Sequence, residues 1–305
     1  MACFTVCVCN FIFHNMYVKP KKALGQHFLT DLSIAQDIVD ALLCTLDKVP
    51  ALCADSCAGS ESSSDAKRKY NVLEIGPGTG VLTQYLVQAP DVKLELAEID
   101  DESIEYLRAH YTEFLYTLQK RDFLEVPLED IFSEPFAIIG NFPYNISSQI
   151  FFRILDYLPQ VPLVVCMLQK EVAQRLASKP GNKAYGILSV LLQAWYDIEY
   201  LFTVDENVFN PPPKVKSAVI RLTRNTRTSL GCNPAAFKQI VKTAFNLRRK
   251  TLRNSLKQIL GTPVSKQADM SFVKEFPQTD MLNLRPEQLS VDDFIALTNL
   301  LTALQ

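Results

Sequence analysis

A chain of 305 residues that is 48% hydrophobic has ample material for a sizeable core and implies one large or two unequal domains. Its formal net charge of −2 argues against a protein that coats nucleic acid indiscriminately, while leaving room for a local basic face. The eight cysteines include no C-x-x-C pair, so the usual zinc and redox motifs are absent, and reduced thiols with no metal are the expectation.

Residues 1–15 are apolar but lack the basic segment and small-residue cleavage site of a signal peptide, and are too short to span a bilayer. Translation from Met16 or disorder of 1–15 is expected, with a small anchor as the alternative. Residues 1–20 thus read as an N-terminal extension. No later run approaches about 20 uninterrupted apolar residues, so a cytoplasmic protein with no membrane partner is expected.

Lys19, Lys21 and Lys22 lead into Leu24-Gly25-Gln26-His27-Phe28-Leu29; the lysines suit either a solvated tail or phosphate contacts at the mouth of a site. Asp31 or Ser33 then caps a helix through Ile34, Ile38, Val39 and Leu42. Residues 44–69 turn to Ala, Ser, Asp and Lys, a surface insertion in which Cys53 and Cys57 are incidental loop cysteines. Asn71–Ile75 reads as a strand running into Gly76-Pro77-Gly78-Thr79-Gly80 and a helical pattern from Val81. Such a loop brings backbone close to a ligand. It matches neither the phosphate-binding nor the dinucleotide glycine pattern, so it suits a cofactor without phosphates at that point. A strand over Lys93–Ala97 delivers Glu98 and Asp100 where an acid commonly holds ribose hydroxyls. Asp122, after a third strand ending near Arg121, suits either a cap or an acceptor for a cofactor adenine.

The apolar run Phe136–Gly140 reads as a buried strand ending in Asn141-Phe142-Pro143-Tyr144, at the edge where open α/β sheets bind ligands. An adenine N6 amino group offers two donors, which an Asn carbonyl and a backbone carbonyl can accept, and Tyr144 supplies a stacking face. A turn with core aromatics is the plainer reading of the tetrad. A helix from Ser147, strands at Leu163–Gln169, Tyr196–Val204 and Ser217–Thr223, and a helix over Lys170–Ser178 complete a mostly parallel sheet covered on both faces. Between the last two strands, Phe209-Asn210-Pro211-Pro212-Pro213-Lys214-Val215 forms a stiff segment. From Pro234 the period turns helical, and Leu247-Arg248-Arg249-Lys250 offers either a nucleic-acid face or a solvated one.

Taken together and in this order, Leu24–Leu29, Glu74–Gly80, Glu98–Asp100, Asp122-Phe123, Gly140–Ser147, Phe209–Val215 and Leu247–Lys250 resemble the small-subunit ribosomal RNA adenine N6,N6-dimethyltransferases, a branch of the class I S-adenosylmethionine-dependent methyltransferases. The resemblance covers about Lys21 to Leu256. It implies an α/β Rossmann-like, mostly parallel seven-stranded sheet over 21–225, interrupted by the 44–69 insertion, and a small all-α C-terminal domain over 226–305 that docks RNA. It implies dimethylation of two adjacent adenosines near the 3′ end of small-subunit RNA, in ribosome biogenesis. A large-subunit RNA methyltransferase and a non-catalytic assembly factor are the alternatives. For the cofactor, S-adenosyl-L-methionine, the resemblance assigns His27, Leu29, Gly76, Gly78, Glu98, Asp122 and Asn141. For catalysis it assigns Asn141, Pro143, Tyr144 and Phe209, with Phe209 a second aromatic wall. For RNA, the placement of basic residues offers Lys21, Lys22, Lys214, Arg248, Arg249 and Lys250. The partner expected is small-subunit RNA or an assembling small subunit, met by a monomer.

Overall fold

A computed structural model describes residues 17–52, 70–111, 118, 120–257 and 277–303. The expectations for 1–15 and for most of the 44–69 insertion, with Cys53 and Cys57, lie outside the described residues. By contact the chain forms two compact units. One comprises the described residues up to Lys170 with Leu201–Thr223, the other Glu171–Tyr200 with the described residues from Arg224. Residues 171–195, which lie between the fifth and sixth strands, thus group by contact with the C-terminal part.

In the first unit, β1 (Phe28–Leu29), α1 (Leu32–Leu46), β2 (Tyr70–Ile75), α2 (Thr83–Leu86), β3 (Val92–Ala97), α3 (Asp101–His110), β4 (Ala137–Asn141), α4 (Ser147–Asp156) and β5 (Leu163–Gln169) follow one another. After β6 (Tyr196–Val204) come β7 (Phe209–Asn210) and β8 (Ser217–Arg224). The sheet order is β3-β2-β4-β5-β8-β6, parallel from β3 to β5, with β8 antiparallel to β5. The chain leaves β2 for β3 on one side and returns to β4 on the other, so a switch point opens at the carboxyl ends of β2 and β4. The central strands β4 and β5 are apolar on both faces because both are covered. Ala137, Ile139, Val165 and Met167 pack on Ile38, Val39 and Leu42 of α1, while Ile138, Val164, Cys166 and Leu168 are fully buried on the other face.

One expectation changes and one open choice is resolved, while a further strand expected before Asp122 falls largely on residues 112–117 and 119, outside the described ones. There the described residues show a parallel bridge between Glu98 and Lys120. The Asp122 carboxylate then accepts the Leu124 amide at 2.8 Å, starting a turn. Asp31, not Ser33, caps α1, accepting from the Ser33 and Ile34 amides at 2.9 and 3.3 Å. The helix after the glycine loop begins at Thr83 and not at Val81.

The second unit contains α5 (Lys170–Leu176, from Glu171), α6 (Ile187–Gln193), α7 (Pro234–Asn246), α8 (Leu252–Ser255) and α9 (Val291–Ala303). Phe245 of α7 is its aromatic hub, edge-on to Tyr185 at 6.3 Å and stacked on Phe294 of α9 at 6.0 Å.

Candidate active site

At the switch point, one cavity is lined by His27, Gly76, Gly78, Glu98, Asp122, Asn141, Pro143 and Tyr144, all singled out from the sequence. The loop after β2 reaches it as bare backbone. Gly78 has φ +57°, and a Cβ there would lie 2.8 Å from the Phe28 ring, so both its conformation and its packing require glycine. The Gly78 amide donates to Glu98 Oε2 at 3.0 Å, while Glu98 Oε1 accepts the Ile99 and Asp100 amides at 2.9 Å each. Burial raises the Glu98 carboxyl above its ordinary range, and these three donors oppose that rise.

Below the loop, Glu74 is buried and accepts from Thr83 Oγ1 at 2.7 Å. Burial, with the charge of Glu98 added, pushes its carboxyl up to about 8. A carboxyl raised in the folded state binds more protons there than in the unfolded chain. Its stabilising contribution is therefore complete below the ordinary value of 4.5 and is lost as pH rises towards about 8. Glu74→Gln copies the protonated form and still accepts from Thr83. It should flatten the decline of stability between pH 5 and 8, a slope of up to about 1.4 kcal/mol per pH unit for one proton. Urea midpoints measured across that range check it, and parallel curves for variant and parent would sink the assignment.

The second wall is the tetrad after β4. The Phe142 amide donates to the Met167 carbonyl at 2.9 Å, and its ring is fully buried, edge-on to Phe151 at 5.8 Å. The Phe142 ring is thus packed into the core, while Asn141, Pro143 and Tyr144 also line the cavity. Asn141 Nδ2 donates to the His27 carbonyl at 3.0 Å. The reverse orientation would set two acceptors face to face, so Oδ1 is the atom left to accept from a ligand. The Tyr144 hydroxyl bonds Ser217 Oγ, and its ring stacks on His27 with centroids 5.4 Å apart and planes at 26°. His27 Nδ1 in turn lies 2.8 Å from the Pro211 carbonyl and donates to it.

Two assigned residues do not reach the cavity. Leu29 and Phe209, 3% and 4% exposed, lie in the core beneath α1. Phe28–Leu29 and Phe209–Asn210 pair antiparallel, with Leu29 opposite Phe209. Side chains alternate across a strand, so Phe28 faces the glycine loop and the Leu29–Phe209 pair faces inward. The aromatic ring stacked on Tyr144 is that of His27. Among the residues assigned to RNA, Lys22, Lys214, Arg249 and Lys250 are exposed. Lys21 instead pairs with Asp100 and with Glu102, the latter at 3.1 Å. Arg248 donates to the Lys183 carbonyl at 2.5 Å and lies 3.9 Å from Glu287, inside its own unit.

Leu24, Gln26, Phe28, Ile99 and Phe123 also line the cavity, although no role had been assigned to them. All but Leu24 neighbour an assigned residue, and Leu24, Gln26 and Phe28 belong to the segment whose resemblance carries His27.

A family model described as "Ribosomal RNA adenine dimethylase" matches residues 18–292. The small subunit methyltransferase A of Bacteroides fragilis is 53% identical over 285 residues, covering 92% of each chain. That of Porphyromonas gingivalis is 54% identical over 289 residues, covering 94% of this chain and 99% of the relative. Among solved structures, a dimethyladenosine transferase from Plasmodium falciparum superposes with a TM-score of 0.66 at 24% identity, covering 89% of this chain and 96% of the other. The fold is that of the class I methyltransferases, and the chain belongs to the ribosomal RNA adenine dimethylase family.

Proposed function

We propose that this chain is an S-adenosylmethionine-dependent enzyme that dimethylates the N6 amino groups of two adjacent adenosines near the 3′ end of small-subunit ribosomal RNA, in ribosome biogenesis. The family match and relatives 53% and 54% identical, named for small-subunit methylation, support that substrate over the large subunit. The observation that carries the chemistry is Asn141, at the end of β4, with its amide nitrogen held by the His27 carbonyl and its oxygen left to accept.

The residues present fit the cofactor. The glycine loop carries neither Lys nor Arg for a phosphate, Gly78 leaves room only for backbone against Phe28, and Leu24, Ile99 and Phe123 supply apolar walls. We assign Gly76 and Gly78 to the methionine end, Glu98 to the ribose hydroxyls and Asp122 to the adenine amino group, with His27 covering them. When bound, the cofactor supplies an electrophilic methyl group.

The chain's own contribution is positioning. Asn141 Oδ1 and the Phe142 or Pro143 carbonyl accept the two N6 hydrogens. Holding both hydrogens favours a pyramidal nitrogen and keeps its lone pair outward as positive charge develops. Tyr144, braced by Ser217 and His27, offers the base a face, and Pro143 fixes the turn between the two groups. No strong base is required before attack. Exposed Lys22, Lys214, Arg249 and Lys250 are assigned to RNA phosphates. Among the described residues no helix is long and apolar enough to cross a membrane, and a cytoplasmic monomer acting on an assembling subunit completes the reading.

The test is incubation with labelled S-adenosylmethionine and unmethylated small subunits, followed by digestion and mass spectrometry of the nucleosides. Dimethyladenosine at two adjacent 3′-end sites is expected. Methylation of large-subunit RNA instead, or none despite cofactor binding, would overturn the reading.

A further inference from the structure

We propose that Asp100 is a catch that fastens the N-terminal arm over the cofactor cavity through Lys21 and Gln26, and that this fastening holds Asn141 in its working orientation. The inference rests on the function proposed above and adds Asp100, Lys21 and Gln26 to it as positioning residues.

Asp100 occupies the N-cap position of α3, yet its side chain caps no helical amide. Its carboxylate, 2% exposed, turns to the arm and accepts from Lys21 Nζ and, at 3.2 Å, from Gln26 Nε2, with Ser103 Oγ at 3.1 Å. A buried carboxylate in a capping slot that forgoes the cap has been recruited for another purpose. Burial would raise the Asp100 carboxyl, but the bonds from Lys21, Gln26 and Ser103 outweigh it and hold the group below its ordinary range. The catch closes on itself, because the other end of the Gln26 amide accepts the Lys21 backbone amide at 2.8 Å. Glu102 reinforces it, 3.1 Å from Lys21 Nζ and 3.4 Å from the Lys19 amide.

From this ring the arm runs through Ala23, Leu24, Gly25, Gln26, His27 and Phe28, all lining the cavity, to its second anchor at the β1–β7 pair. It is a strap tied at both ends. Its far end carries the His27 carbonyl that orients Asn141, and the His27 ring that backs Tyr144. Its near end sits on the residue whose amide donates to Glu98. One strap therefore touches both the acid assigned to the cofactor ribose and the clamp assigned to the target adenine. When Lys21 lets go, the cofactor can exchange and Asn141 loses its partner.

An ordinary surface ion pair would contribute little and would leave ligand exchange untouched. The two cases separate in a measurement of S-adenosylhomocysteine affinity by calorimetry and of labelled S-adenosylmethionine release by filter-binding chase. Parent, Lys21→Met, Lys21→Arg, Asp100→Asn and the Lys21→Met/Asp100→Asn double variant are compared. Lys21→Met should weaken binding about five- to tenfold, mostly through faster release. It should also lower kcat on small subunits at saturating cofactor. Lys21→Arg should restore most of the affinity. The double variant should bind no worse than the weaker single one, since both remove the same contact. Unchanged release from Lys21→Met with a parent that binds normally, or strictly additive losses in the double variant, would overturn the catch. A parent that binds no cofactor would instead overturn the proposed function.

Discussion

Asn141→Ala should reduce methyl transfer to small-subunit RNA by about 10²–10³-fold, the loss typical of removing one well-aimed polar group from a reacting centre and worth about 3–4 kcal/mol. The variant removes the oxygen that accepts from N6 together with the nitrogen that donates to the His27 carbonyl at 3.0 Å. The second loss is one neutral hydrogen bond, about 1 kcal/mol, so cofactor affinity should fall by no more than about fivefold. Asn141→Asp separates the two effects. It keeps an acceptor for N6 but sets a carboxylate oxygen against the His27 carbonyl, so the arm is pushed away and cofactor binding should weaken more than in Asn141→Ala. Single-turnover methyl incorporation and calorimetry on both variants give the two numbers. Activity within about tenfold of the parent in Asn141→Ala would remove Asn141 from the centre of the mechanism.

The parts of this site that could be read from the sequence are those that sit within a few residues of a strand end. Gly76, Gly78, Glu98, Asn141 and Tyr144 follow apolar runs of strand length, and the switch-point geometry gathers the ends of such runs whatever the intervening sequence. What escaped is set by long-range pairing. A two-residue strand has no period to read, so only the register opposite Phe209 reveals that Leu29 faces the core and Phe28 the glycine loop. Lys21 looks like any basic residue in a tail until the fold brings it to Asp100, 79 positions away. Arg248 likewise stands in a basic run, yet the fold turns it onto the Lys183 carbonyl and Glu287. Beside β3 the described residues hold a parallel bridge from Glu98 to Lys120, after which Asp122 begins a turn.

Gly140→Ala should destabilise the first unit by about 3 kcal/mol, at the upper end of what adding one buried methyl usually costs. Gly140 precedes Asn141 in β4, between β2 and β5. A Cβ there would stand 2.5 Å from the Ile75 carbonyl oxygen and 3.2 Å from the Phe142 ring. Neither neighbour yields easily. The carbonyl is backbone at the end of β2, and the Phe142 ring is fully buried against Phe151. Gly140 does not occupy the left-handed region, so alanine suits its backbone and the cost is steric. Gly181→Ala is the matching control. It has φ +84° with nothing within 4 Å of a Cβ, so it should lose only the conformational cost of about 1–2 kcal/mol. Urea unfolding followed by circular dichroism distinguishes them, and a Gly140→Ala midpoint equal to the parent's would show that β2 and β4 separate more freely than their packing implies. The same displacement reaches the chemistry. Ile75 leads directly into Gly76 and Gly140 into Asn141, so any relief of the clash shifts the cofactor loop relative to the amide that faces it. Molecules of the variant that still fold should bind cofactor poorly and transfer methyl groups more slowly still, because β2 and β4 hold the two walls at the spacing the transfer requires.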